Sequence, residues 1–175
     1  MLQLANLRSD AQSPPTAVEL DLAELIGGVL ERQAPPAAAH DVRIAADLAA
    51  APLCTSEDHA RMLIENVLSN AVAYSYPGGA VEVACGAGPD GGAEVTVRDH
   101  GIGIGPEKLP AIFDEYFRTK EAVRHNRSST GLGLAVVRQA ARMAGVAIEV
   151  ASAPGKGTRV ALTFPPIPPS SSDSN

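Results

Sequence analysis

Hydrophobic and polar positions follow two periods along this chain, and together they predict a mixture of helices and strands. The strongest helical pattern covers 56–75, where apolar residues recur every three or four positions and Thr55 or Ser56 can serve as the N-cap. Three further helices are predicted over 22–34, 108–113 and 132–144. The first would end before Pro35 and Pro36, and the last before Gly145. Alternating apolar residues predict strands over 18–22, 42–48, 80–85, 93–99, 147–152 and 158–164.

The connections between the predicted strands indicate the fold class. The glycine- and proline-rich segment 86–92 joins one pair of strands, and 154–157 joins the last pair, so each pair is expected to be antiparallel. An all-parallel sheet is therefore excluded. We predict an α/β fold, a two-layer sandwich with a mixed, mostly antiparallel sheet covered on one face by about three helices.

Composition narrows the classes of function. The 175 residues suit one domain, and with 45% hydrophobic but only 3% aromatic residues the core must consist of Ala, Val, Leu and Ile. The net charge of −6 and the scarcity of aromatic residues disfavour nucleic acid as a partner. Cys54 and Cys85 cannot form a disulfide framework or a four-ligand zinc site. No apolar run approaches the ~20 residues of a membrane span, so we expect a soluble protein of a reducing, cytoplasmic compartment.

Polar side chains interrupt two of these apolar patterns. Asn70 lies at the border of the apolar face of the long helix, with Asn66 one turn before it. A lone asparagine there is more often hydrogen-bonded to backbone than to a ligand, but two of them favour a cleft. Asp99 shares the inward face of its strand with Val95 and Val97. A buried carboxylate needs donors, so Asp99 either caps the next turn or binds a ligand.

Glycines and basic residues supply a second kind of signal. Gly101 and Gly103 follow the strand directly, and the segment 129–134 brings two glycines to the start of a helix, where free N–H groups can bind an anion. Each segment alone is as often a simple turn or cap. The segment 118–127, just before this helix start, carries four positive charges against Glu121, a pattern that favours a polyphosphate ligand; the positive residues are Arg118, Lys120, Arg124 and Arg127.

The order of these segments resembles the catalytic ATP-binding domain of bacterial sensor histidine kinases, within the Bergerat-fold group that also includes gyrase-type ATPases. The matching segments are 65–71 for the N box, 99–104 for the G1 box, 112–118 for the F box, 130–134 for the G2 box and 155–158 for a final glycine turn. The resemblance covers nearly the whole chain, from about 17 to 165.

The resemblance implies a role for individual residues. Asp99 would accept the adenine amino group, and Gly101 and Gly103 would allow close packing of the base. Asn66 would be the catalytic residue, and Asn66 with Asn70 would hold Mg²⁺ against the phosphates of ATP. The remaining implied phosphate contacts are Arg118, Lys120, Thr130, Gly131, Leu132 and Gly133. Segment 105–129 would form a lid over ATP, anchored by Phe113 and Phe117, for which ordinary core packing is an equal alternative.

The resemblance also implies a domain organisation and partners. Residues 1–12 would end a helix of a dimerisation domain, 13–165 would be the catalytic domain, and 166–175 a disordered tail. The γ-phosphoryl group of ATP would pass to a histidine on a dimerisation domain absent from this chain, and the parent would act on a response regulator. The chain alone would be a monomer and would not phosphorylate itself, whereas the parent would be a dimer that could be anchored in a membrane.

Some positions depart from the family pattern, and they keep two alternatives open. Ala73 stands where many of these kinases have a basic residue, and Ser129 replaces the usual first glycine of the G2 box. These departures suit a noncatalytic nucleotide-binding or protein-docking module of the same fold. Gyrase-type hydrolysis is the weaker alternative, because Asn66 occupies the position of the general base there and an amide cannot take a proton from water.

Overall fold

The computed structural model describes residues 17–127 and 129–167. The predicted helix over 1–12 and most of the predicted tail over 166–175 lie outside the described residues. The strands are β1 (Val18–Asp21), β2 (Arg43–Leu48), β3 (Pro52–Thr55), β4 (Ala80–Ala87), β5 (Ala93–Asp99), β6 (Ala147–Ser152) and β7 (Thr158–Phe164). The α-helices are α1 (Leu22–Ala39), α2 (Glu57–Tyr74), α3 (Lys120–His125) and α4 (Gly133–Ala144). Short 3-10 turns occur at Pro89–Gly91 and Leu109–Ala111.

The main sheet has five strands in the order β2-β4-β5-β7-β6. Only β2 and β4 run parallel, whereas the two hairpins β4–β5 and β6–β7 and the central pair β5–β7 are antiparallel. A separate two-stranded sheet pairs β1 with β3. The predicted mixed, mostly antiparallel sheet and the α/β class are confirmed.

The core lies between one face of the main sheet and the helices. Helices α2 and α4 pack against each other, and α1 packs against α2. The side chains that are almost fully buried come from the helices and from the inward positions of the strands, and the largest of them are Phe164, Leu22, Ile26, Leu53, Leu63, Ile64, Leu68 and Leu162. On β5, Val95, Val97 and Asp99 alternate toward this core, with Asp99 only 6% exposed. The sheet therefore carries a carboxylate into the interior at the end of its central strand.

The predicted end of the first helix was wrong. Helix α1 continues through Pro35 and Pro36 as far as Ala39. A proline removes one backbone donor and strains the preceding turn. Two features offset that cost here. Residues 31 and 32 are both exposed, so water can reach the carbonyls that lose a partner, and Ala37 is 3% exposed and anchors the last turn in the core.

Three other elements differ from the predictions. No local pattern predicted β3, which spans only four residues and exists through its pairing with β1. Helix α3 was not predicted either; its first turn is capped by Thr119, whose Oγ1 accepts a hydrogen bond from the N–H of Ala122 at 3.0 Å. The helix predicted over 108–113 is only the 3-10 turn at Leu109–Ala111. Within the described ranges, no helix is both long and apolar enough to cross a membrane.

Candidate functional site

The candidate site is a cavity of about 120 Å³ enclosed by α2, the end of β5, the start of α4 and the segment around α3. Its surface is mostly apolar, and only a few polar groups interrupt it. The apolar lining includes Val67, Ala71, Val97, Ile102, Ile104, Ile112, Phe117, Leu134, Val150 and Val160. A pocket of this kind suits a flat, largely apolar ligand whose orientation is fixed by a small number of polar contacts.

Asp99 provides the principal polar contact inside the cavity. Its Oδ1 accepts hydrogen bonds from the backbone N–H of Gly101 at 3.0 Å and of Thr158 at 3.2 Å. Burial raises the pKa of Asp99 to about 6, and these two N–H donors oppose that rise only in part. The second oxygen, Oδ2, has no hydrogen-bond donor among the residues the structure describes. Asp99 therefore keeps one acceptor for a ligand.

The glycines near Asp99 are required by close approaches of the backbone. A Cβ on Gly101 would lie 1.9 Å from the carbonyl oxygen of Tyr74, where the two segments form a bridge. Gly103 has φ of +61°, and a Cβ there would lie 1.9 Å from the carbonyl oxygen of Ala153. Gly103 lines the cavity, but Gly101 does not. Gly101 instead lets the end of α2 lie directly against the end of β5.

Asn66 and Asn70 project from α2 toward the first residue of α4. A Cβ on Gly133 would lie 3.3 Å from Asn70 Nδ2 and 3.4 Å from Asn66 Oδ1. The amide of Asn66 donates to the carbonyl of Met62 at 2.8 Å, whereas the Asn70 side chain makes no hydrogen bond to any described residue. Asn70 lines the cavity, whereas Asn66 does not. Both side chains thus lie against the start of α4.

These carboxamides fit a magnesium ion that is shared with phosphates. Mg²⁺ prefers hard oxygen ligands, and the unpaired amide of Asn70 offers one beside the cavity. Across the described ranges, no group of three or more His, Cys, Asp or Glu side chains could hold a metal ion. A magnesium ion at Asn70 would therefore need most of its ligands from phosphate oxygens and water.

The glycine loop 129–133 ends at the N-terminus of α4. Gly131 has φ of +73°, and Leu132 occupies the N-cap position without a side-chain hydrogen bond to the helix. The first N–H groups of α4 therefore have no capping side chain and can receive an anion. Gly131 and Gly133 line the cavity. Thr130 is exposed and Leu132 is buried, and neither side chain lines the cavity.

The basic residues of the predicted lid differ in position. Arg118 lines the cavity, its Nη2 donates to the carbonyl of Asn126, and its buried Nε has no partner among the described residues. Lys120 is exposed at the start of α3 and does not line the cavity. Phe117 lines the cavity, whereas Phe113 does not. The structure thus brings only Arg118 of this basic pair to the cavity.

Several residues that line the cavity or contact Asp99 were not among the predicted site residues. Thr119 and Ala122 line it from α3, and Thr158 supplies the second N–H to Asp99. The Oη of Tyr74 donates to the Oγ of Ser129 at 2.9 Å, and both residues also line the cavity. Thr119 before a charged run was a recognisable N-cap signal. The partners of Thr158 and Tyr74 are more than fifty positions away in sequence, and no local pattern could have indicated them.

The family of this chain follows from a comparison with known sequences. The sequence profile of the histidine kinase-, DNA gyrase B- and HSP90-like ATPases matches residues 55–168. The chain belongs to this family. That match covers Asn66, Asn70, Asp99 and the glycine loop, and it confirms the resemblance stated from the sequence.

Individual relatives within the family are sensor histidine kinases. The chain is 33% identical over 124 residues to the sensor histidine kinase YkoH of Bacillus subtilis, a match that covers 71% of this chain and 27% of YkoH. The chain spans 18% of the length of the sensor histidine kinase WalK of Bacillus subtilis and 40% of that of the sensor-like histidine kinase SenX3 of Mycobacterium bovis. Because these relatives are sensor histidine kinases and the family profile covers the site, the chain carries a catalytic domain of the histidine kinase type.

Solved structures agree with this assignment. A mycobacterial sensor histidine kinase, MprB, superposes with a TM-score of 0.75 at 28% identity, covering 87% of this chain and 99% of the MprB chain. Full-length ShkA, solved in complex with AMPPNP, superposes with a TM-score of 0.79 at 25% identity, covering 94% of this chain and 34% of ShkA. The predicted fold is therefore that of histidine kinase catalytic domains.

Proposed function

We propose that this chain binds ATP with Mg²⁺ in the cavity and transfers the γ-phosphoryl group to a histidine of a dimerisation domain outside the described residues. The observation that carries the proposal is Asp99, whose Oδ2 is an unpaired acceptor in an apolar cavity that also contains Asn70 and the N-terminus of α4. The relation to sensor histidine kinases and the AMPPNP complex of ShkA support the same ligand class.

The cavity offers a separate environment for each part of ATP. The faces of adenine would pack against apolar residues such as Ile102 and Val97, and its exocyclic amine would donate to Asp99 Oδ2. The phosphates would accept hydrogen bonds from the N–H groups of Gly131 and Gly133, near the guanidinium of Arg118. Each of these contacts would match the charge or polarity of the part of the nucleotide that it touches.

Magnesium would supply neutralisation of the phosphate charge. The carboxamide oxygens of Asn70 and Asn66 would hold it on the α2 side of the phosphates. We also assign Asn66 to the catalytic position, where it would help fix the phosphate and metal geometry. Because its amide already donates to the carbonyl of Met62, its oxygen is the atom directed at Gly133.

Phosphoryl transfer requires positioning more than acid–base chemistry. A neutral imidazole nitrogen of the acceptor histidine would attack the γ-phosphorus, the bond to the bridging oxygen would break, and ADP would leave. The chain would hold the phosphates in line and offset their charge. Water would not be activated, because the amide of Asn66 cannot act as a general base.

The proposed domain organisation follows the same relation. Residues 13–165 would form the catalytic domain with 105–129 as its lid, and 1–12 would belong to a dimerisation helix. Alone, the chain would be a cytoplasmic monomer, and in its parent it would work as a dimer with a response regulator. Nucleic acid is not among the proposed partners.

Two measurements test the proposal. Calorimetry on the purified chain should show ATP binding that is stronger with Mg²⁺ than with a chelator. Radiolabelled ATP should leave the chain itself unlabelled and should label the dimerisation domain of the parent protein when that domain is added in trans. Self-labelling would contradict the proposal. Tight binding without transfer would favour a noncatalytic module, and steady hydrolysis lost in Asn66→Ala would favour a gyrase-type ATPase.

A further inference from the structure

Ser129 forms a side-chain contact that joins two parts of the candidate site. It is the first residue of the glycine loop, and its Oγ accepts a hydrogen bond from Tyr74 Oη at 2.9 Å. Tyr74 is the last residue of α2, the helix that carries Asn66 and Asn70. The bond therefore ties the start of the loop to the helix that carries the proposed metal ligands.

A second contact brings the end of α3 to the same place. The Nε2 of His125 donates to the carbonyl oxygen of Ser75 at 3.1 Å. The His125 ring lies 6.3 Å from the Tyr74 ring and 6.0 Å from the Tyr76 ring, centroid to centroid. The C-terminal end of α2 is thus a common anchor for α3 and for the glycine loop.

The loop needs such an anchor because its own residues restrain it weakly. Gly131 has φ of +73°, and glycine leaves the backbone many conformations. Two other contacts restrain later residues of the loop: the N–H of Tyr116 donates to the carbonyl of Gly131 at 3.0 Å, and Gly133 packs on the two asparagines of α2. The hydrogen bond of the Ser129 side chain to Tyr74 restrains the point where the loop begins.

We propose that Ser129 is a positioning residue, which through its hydrogen bond to Tyr74 holds the glycine loop at the distance from Asn70 that suits the phosphates of the nucleotide. The inference rests on the proposed function. The neighbouring Ala73 has only a methyl group and cannot reach a phosphate, so placement of the loop amides has more weight in this chain. Ser129, which replaces the usual first glycine of the G2 box, therefore contributes to nucleotide binding by positioning the loop.

The test compares nucleotides with and without phosphates. Ser129→Ala, Ser129→Thr and Tyr74→Phe are titrated with ADP and with adenosine. Thr163→Ala, which removes a hydroxyl from a half-buried position of β7 that does not line the cavity, is the control. Loss of either hydroxyl should weaken ADP binding about 2- to 10-fold, as expected for one hydrogen bond. The double variant should be no weaker than either single one.

The result for adenosine separates positioning from a general structural effect. Adenosine affinity should be unchanged in every variant, and Ser129→Thr should retain the ADP affinity of the unchanged protein. Equal losses for ADP and adenosine, or additive losses in the double variant, would overturn the positioning role. If the unchanged protein binds ADP while Ser129→Ala and Tyr74→Phe bind it equally well, the positioning role fails and the proposed function stands. If the unchanged protein binds neither ligand, the proposed function itself fails.

Discussion

Replacement of Asp99 by asparagine should make the protein more stable and less able to bind ATP. The buried carboxyl has a pKa of about 6 in the folded protein, against an ordinary value of 3.8. The folded state therefore binds this proton more tightly than the unfolded state. The contribution to stability is fully present below pH 4 and is lost as the pH rises through 6. A difference of about two pH units corresponds to about 3 kcal/mol of unfolding free energy lost by pH 8.

Asparagine avoids this loss because it carries no charge. Its side-chain oxygen can still accept the N–H groups of Gly101 and Thr158 that now bind Oδ1. Asp99→Asn should therefore raise the free energy of unfolding by about 1–3 kcal/mol at pH 8 and by much less at pH 4. The ATP affinity should fall about 10- to 100-fold, because a hydrogen bond to a charged acceptor contributes about 1.5–3 kcal/mol.

Urea unfolding at pH 4 and pH 8, followed by circular dichroism, measures the first effect, and calorimetric titration with ATP measures the second. Asp47→Asn on β2 is the matched control, because it makes the same chemical change at an exposed position. It should alter neither quantity. If Asp99→Asn raises the free energy of unfolding less at pH 8 than at pH 4, the reasoning about burial is refuted. Unchanged ATP affinity would remove Asp99 from the adenine site.

Two further predictions concern the asparagine and glycine positions. Asn70→Ala should weaken ATP binding severalfold in the presence of Mg²⁺ and have little effect with a chelator, because the side-chain oxygen of Asn70 is a proposed metal ligand. Equal losses of affinity under both conditions, measured by calorimetry, would argue against that role. Gly101→Ala should lower the urea midpoint strongly, because its Cβ would lie 1.9 Å from the carbonyl oxygen of Tyr74. Gly28→Ala in α1 should raise the midpoint slightly, because its Cβ would have no atom within 4 Å and alanine favours a helix. Similar midpoints for the two variants would contradict the packing argument.

Local periodicity was sufficient to predict the elements that carry the site. The helix bearing Asn70 has a long apolar face, and the strand ending at Asp99 alternates strictly, so both elements and the inward direction of Asp99 could be predicted from the sequence. The two hairpins follow from the glycine-rich connections. Where an element buries one complete face, its sequence specifies it well.

The features that were missed depend on contacts between distant segments. Strand β3 forms because it pairs with β1, and α1 continues past Pro35 because Ala37 is held in the core. The bond between Tyr74 and Ser129 joins positions fifty-five residues apart. In each case contacts between distant segments determine the structure, so neither residue type nor periodicity predicts it.

A crystal structure of the chain with AMPPNP and Mg²⁺ tests the central claim most directly. The account predicts the adenine amino group within hydrogen-bond distance of Asp99 Oδ2. It also predicts the triphosphate at the N-terminus of α4, with the metal ion bound by the oxygen of Asn70. A nucleotide bound elsewhere, or a cavity filled by the apolar side chains that line it, would contradict the account.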